Sequence, residues 1–232
     1  MNLNDTASLK KAIVSLAVLV PIPSIGVLSA MVLFPDTALG KALFAVSKAG
    51  LLGLPLAWYL WVDKGTLSLS LPRRGGFGVA VLSGLIISAA ILAAYWLLGD
   101  YFLDKNMLRE KLRDIGLADR TAYAAGAVYW IVVNSVLEEY VWRWFVVRQS
   151  GRLFKPFIAV IVSALFFTGH HTIALKVFMP WTATLLCSFG VFSGGAIWSW
   201  LYVRYQSIWP GYISHAIVDL CIFGIGAAML FG

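Results

Sequence analysis

The chain has 232 residues, of which 60% are hydrophobic and only 12% charged, with a mean hydropathy of +0.84. Soluble domains carry about 25% charged residues, so these figures exclude an ordinary soluble domain and describe a polytopic membrane protein. The formal net charge of +7 does not point to nucleic acid, because the basic residues flank apolar segments instead of forming a patch interleaved with aromatics.

A spanning helix needs about 20 mostly apolar residues. In chain order, segments of that kind lie at 12–34, 40–62, 76–99, 121–147, 156–175, 182–203 and 208–231. The expected fold is therefore all-α, a transmembrane bundle of about seven spans (six to eight), in a single domain 1–232 with no soluble partner domain. The first apolar stretch is longer than the ~7–15-residue core of a signal peptide and reads as a retained helix. Pro21 and Pro23 predict a kink or break in it. Between the third and fourth spans, residues 101–117 place Leu103, Met107, Leu108, Leu112 and Ile115 roughly on one face, which predicts a short surface helix. Lys10, Lys11, Lys64, Arg73, Arg74, Arg148, Arg152, Lys155 and Arg204 fall on one side of the spans, so the N-terminus is expected in the cytoplasm. Cys187 and Cys221 sit in apolar segments and read as small buried groups, not a disulfide.

Of the eleven acidic residues, eight fall in the tail or the connections, and three lie inside spans: Glu138, Glu139 and Asp219. The three histidines, His170, His171 and His215, also lie inside spans. Charge at bilayer depth costs a few kcal/mol even on lenient scales, so such residues face a partner or a water-filled cavity. Glu139 and Arg143 stand four apart and share a helix face, which predicts an ion pair. Glu138 lies about 100° further round and stacks above Asn134. His215 and Asp219 are again four apart. Glu138, His171 and His215 can meet at one depth only if their helices are tilted or staggered.

Three short patterns carry a resemblance. "EEYVWR" (Glu138 to Arg143), "FTGHH" (Phe167 to His171) and "HAIVD" (His215 to Asp219) occur in this order on separate apolar spans. They resemble the EExxxR, FxxxH and HxxxN/D motifs of the CPBP intramembrane proteases, which include the CAAX prenyl endopeptidase Rce1 and the bacterial Abi proteins. The resemblance covers the motif-bearing core 121–231; the first hundred residues agree in hydropathy alone. Phe166 to His170 also fits FxxxH, so His170 is an alternative to His171. The run with Ala159, Ser163, Phe167 and His171 in step favours His171. Two departures stand out. Trp142-Arg143-Trp144 occupies the place of a frequent FRG, and Asp219 stands where Asn is common.

The resemblance implies a glutamate-dependent intramembrane endopeptidase with no required metal, acting on a membrane-associated peptide or protein within the lipid bilayer. Amide hydrolysis needs an activated water and a donor for the oxyanion, and the residues suit it: Glu138 and His171 would hold and activate the water, His215 would donate to the oxyanion and Asp219 would orient its ring. Glu139 with Arg143, together with Asn134, would support the site. Two other readings stay open. Glu138, His171 and His215 form a His₂Glu set that could hold zinc, although no HExxH is present. Buried Glu and His also suit a proton-coupled transporter or a non-catalytic immunity protein, but no inverted repeat is evident.

Overall fold

The structure is a computed structural model that describes residues 3–66 and 74–232; Arg73 lies outside them. The first apolar segment breaks where its prolines require it. Helix α1 (Leu3–Leu19) ends two residues before Pro21, and α2 (Pro21–Leu28) starts at that proline and continues as a π-helical turn, Ser29–Leu33. Pro21 is tolerated because the first turn of a helix has no partner for its backbone N–H. Thr37 then caps α3 (Ala38–Ala57), its hydroxyl accepting from the Gly40 N–H at 3.1 Å. Gly76, with φ of +96°, leads into α4 (Phe77–Phe102).

The surface helix is present as α5 (Lys105–Asp114), capped by the Asp104 carboxylate on the backbone N–H groups of Asn106 and Met107. Arg109 Nε donates to the Met229 carbonyl at 2.7 Å, which ties this helix to the end of the chain. Among the described residues, six helices are long and apolar enough to cross a membrane: Thr6–Leu33, Ala38–Val62, Phe77–Phe102, Pro156–Phe178, Trp181–Tyr205 and Trp209–Phe231. The protein is thus an all-α, multi-pass integral membrane bundle.

The fourth expected span is built differently. It is one helical run of alternating type: α6 (Arg120–Val128), a π segment (Tyr129–Asn134), α7 (Ser135–Glu139), a second π segment (Tyr140–Val147) and α8 (Arg148–Leu153). It does not qualify with the other six, because Glu138, Glu139 and Arg143 interrupt its apolar sequence. Its second half is enclosed by protein: Glu139, Val141, Trp142, Arg143, Phe145, Val146 and Val147 are all buried. The π segments carry i→i+5 hydrogen bonds, a rare geometry that concentrates at functional sites.

Around this run stand α9 (Pro156–Phe178), α10 (Trp181–Tyr205) and α11 (Trp209–Phe231), with α9 packed along α10 and α4 along α11. The core joins Val141, Trp142, Phe145 and Val146 to Phe167, Trp198, Leu201 and Val218, with Leu16 and Leu19 from α1. Outward-facing side chains such as Trp96, Leu97, Phe157 and Phe189 are large, apolar and exposed. In lipid these need no cover. At one end of the bundle, Asp63 accepts both Nη atoms of Arg152 (2.8 and 3.0 Å) and Nε2 of Gln149 (3.0 Å), clamping the end of the second span to α8.

Candidate active site

Five polar residues of the central run, Asn134, Ser135, Glu138, Glu139 and Arg143, meet the histidines of α9 and the His215–Asp219 face of α11. Glu138 Oε1 accepts from Asn134 Nδ2 at 2.9 Å, the stacking expected from their spacing. Its other oxygen, Oε2, lies 3.7 Å from His215 Nε2. Glu139 and Arg143 are fully buried and paired, with Oε1 to Nε at 3.4 Å. The Arg143 guanidinium is also flanked by aromatic faces, 4.6 Å from the Phe167 ring centre and 5.2 Å from that of Trp198. Such cation–π contacts strengthen when water is excluded.

Helical spacing puts Asp219 beside the His215 ring, where the structure also has it, and the structure adds a second carboxylate on the ring's other nitrogen. His215 Nδ1 faces Glu139 Oε1 at 3.2 Å, so Glu139 orients the ring and does more than balance Arg143. Asp219 Oδ2 takes a 2.7 Å bond from the Ser135 hydroxyl and stands 3.7 Å from His215 Nε2. The ring is held flat from one side by Trp198, stacked at 3.8 Å and 14°. Trp198 is fixed in turn by its indole N–H on Ser214 Oγ at 3.0 Å. Close approach of α11 to this cluster depends on Gly211, where a Cβ would run into Glu139 Oε2.

His170 and His171 both stand beside Glu138: one ligand atom from each of the three groups lies within 4.8 Å of the others. Their surroundings differ. His171 Nδ1 is 2.9 Å from the Phe167 carbonyl, which can only accept, so in the neutral ring the proton sits on Nδ1 and the lone pair on Nε2. His170 is buried and lies parallel to Trp142 at 5.3 Å. The metal-compatible group therefore contains His170 where sequence reasoning places His215. Trp144, the bulky departure from the family pattern, points away from these groups and stacks on Tyr140 at 5.2 Å with its edge contact to Tyr59 at 5.1 Å.

Three contributors were not singled out from sequence. Ser135 and Trp198 carry no pattern that marks them. Lys48 does carry a signal, a basic residue well inside the apolar segment 40–62. Its Nζ donates to Asn134 Oδ1 at 3.0 Å.

Residues 120–221 match the model of a family described as type II CAAX prenyl endopeptidase Rce1-like. No curated protein and no solved structure matches the chain. The match spans all three motifs, from Glu138 through His171 to His215 and Asp219, on the same helices that the fold brings together. Residues 120–221 of this integral membrane protein are thus similar to the Rce1-like type II CAAX prenyl endopeptidase family.

Proposed function

We propose that the protein hydrolyses a peptide bond of a membrane-associated peptide or protein with a water activated by Glu138 and His171. The observation that carries this reading is the pairing of two acceptors. A Glu138 oxygen and a His171 nitrogen fall within 4.8 Å of each other, a separation that one water can bridge with two hydrogen bonds of about 2.8 Å each. His171 Nε2 accepts a hydrogen bond from that water, and Glu138 removes its other proton as the oxygen attacks the peptide carbonyl. The tetrahedral oxyanion then needs a donor. His215 Nδ1 already donates to Glu139, so the acting form of His215 is the imidazolium, whose Nε2–H is free to turn to the oxyanion. When the C–N bond breaks, Glu138 returns its proton to the leaving nitrogen, giving a carboxylic acid and an amine, and the acid then loses its proton to solvent.

In this scheme Glu139 and Arg143 hold the ring and the helix, while Ser135 holds Asp219 beside Nε2. With the N-terminus in the cytoplasm, the Asp63–Arg152 clamp marks the inner end. The family description points to prenylated CAAX chains as one substrate class. Unprenylated membrane peptides are the other. In proteoliposomes, Glu138→Gln, His171→Ala and His215→Ala should each remove cleavage of a quenched-fluorescent peptide from one of these classes. Full activity of Glu138→Gln refutes the mechanism.

The cluster of Glu138, His170 and His171 supports a second reading, a zinc-dependent hydrolase with a His₂Glu ligand set. The Phe167 carbonyl on His171 Nδ1 suits it, since it frees Nε2 as a ligand. We favour the metal-free scheme because Glu138 Oε1 is held by Asn134 and Oε2 faces His215, an arrangement made for proton transfer. Stoichiometric zinc in active protein, with activity lost in chelator and restored by the metal, would establish the zinc reading instead.

A further inference from the structure

We propose that Lys48 is a positioning residue of this site, acting through Asn134 to hold Glu138 in its working orientation; the proposal rests on the assignment of Glu138 as the base. Lys48 belongs to α3, in the half of the chain outside the family match. It stands in the middle of that 20-residue helix, ten residues after Ala38 and so ~15 Å along the axis from its start. An ammonium at such depth costs a few kcal/mol and is kept where it has work to do. A lysine with none extends its stem toward the nearer membrane surface. This one is half-buried and turned inward, its Nζ 3.0 Å from Asn134 Oδ1 and 5.6 Å from the centre of the Phe44 ring.

The partner is a neutral amide, which cannot neutralise the charge. What the amide can do is relay its direction. An asparagine side chain has one accepting end and one donating end, and its partners decide which way round it sits. Lys48 can only donate, so it takes the carbonyl. Asn134 is buried, and its amino group is thereby committed to Glu138 Oε1 at 2.9 Å. The opposite orientation would set the amino group against the ammonium and the carbonyl against the carboxylate. Two hydrogen bonds in series thus run from the first half of the chain to the reacting carboxyl group. They immobilise Oε1 and leave Oε2, on the His215 side, as the oxygen free to take the proton of water.

The test uses full-length protein in proteoliposomes with three quenched-fluorescent probes: a farnesylated CAAX peptide, its unprenylated counterpart and a transmembrane peptide. Lys48→Met keeps the stem and removes the donor; Lys48→Arg restores a donor. Lys48→Met should lower kcat about 10–100-fold, the usual cost of losing a group that orients a working side chain, with KM within about twofold. Asn134→Leu should do the same, and the double variant Lys48→Met/Asn134→Leu should be no worse than Asn134→Leu alone, as expected of two links in one chain. Lys48→Arg should recover most of kcat. Because Lys48→Met takes a charge out of the membrane interior, its melting temperature should not fall.

Wild-type kcat in Lys48→Met, a rise in KM with kcat unchanged, or additive losses in the double variant would overturn the proposal. So would a kcat loss that merely tracks a lower melting temperature. Glu138→Gln separates the two levels. If it is inactive while Lys48→Met is normal, the Lys48 relay alone fails. If Glu138→Gln is active, or wild type cleaves none of the probes, the assignment beneath it fails and takes the relay with it.

Discussion

Replacing Glu139 by Gln tests how the centre of the bundle holds its charge. The pair it forms with Arg143 is completely buried, with 3.4 Å between Oε1 and Nε. At an effective dielectric near 20, two unit charges at that separation attract by about 5 kcal/mol. That is an upper figure for the direct interaction, in line with the roughly 3–5 kcal/mol lost when one partner of a buried pair is removed. The Phe167 and Trp198 faces on Arg143 remain in the variant and cannot replace a carboxylate. For a chain of this size the loss corresponds to a fall of roughly 6–20 °C in melting temperature. Glutamine also offers His215 Nδ1 a weaker acceptor, so turnover per folded molecule should drop as well. Glu139→Gln/Arg143→Met removes the stranded charge and should regain most of the stability, but not the turnover, since the His215 ring stays loosely held. Thermal unfolding in detergent by tryptophan fluorescence, run beside the cleavage assay, separates the two effects. The reasoning fails if Glu139→Gln melts like wild type and the double variant gains nothing. If Glu138→Gln unfolds the protein while Glu139→Gln folds and abolishes cleavage, the two glutamates have each other's roles.

Gly211→Ala should push α11 away from Glu139, at a cost of about 1–3 kcal/mol for overpacking and with a lower kcat, measured as melting temperature and cleavage rate of the same preparation. Asp63→Asn should cost about 1–3 kcal/mol by weakening three hydrogen bonds to charged or polar donors. Its kcat should be unchanged, and a double-mutant cycle with Arg152→Met should show that the two losses overlap. His170→Phe keeps the stack on Trp142 and should retain cleavage. His171→Ala should lose at least about 100-fold. The reverse ranking would move the catalytic assignment to His170, and zinc retention measured on both variants would show whether the pair binds metal.

Hydropathy by itself determined that this chain lives in lipid and crosses it as helices, because membrane insertion responds to a sum over about 20 neighbouring residues. Local spacing determined which polar groups share a helix face: Glu139 with Arg143, and Asn134 with Glu138, pair as counted. The ordered motifs marked the helices that hold the site. Spacing along one helix says nothing of how that helix is rotated against its neighbours, and the tertiary structure decided the rest. It turned His215 so that Nδ1 meets Glu139 and gave Asp219 a further partner in Ser135, contacts between residues 76 and 84 positions apart. It also brought His170 beside Glu138 together with His171, where the sequence phrasing had favoured one of the two. The π segments at Tyr129–Asn134 and Tyr140–Val147 change the angular phase of the central run, which no count at 3.6 residues per turn contains. Lys48 shows the same division: its charge inside an apolar segment was legible, but its partner 86 residues away exists only once α3 packs against the central run.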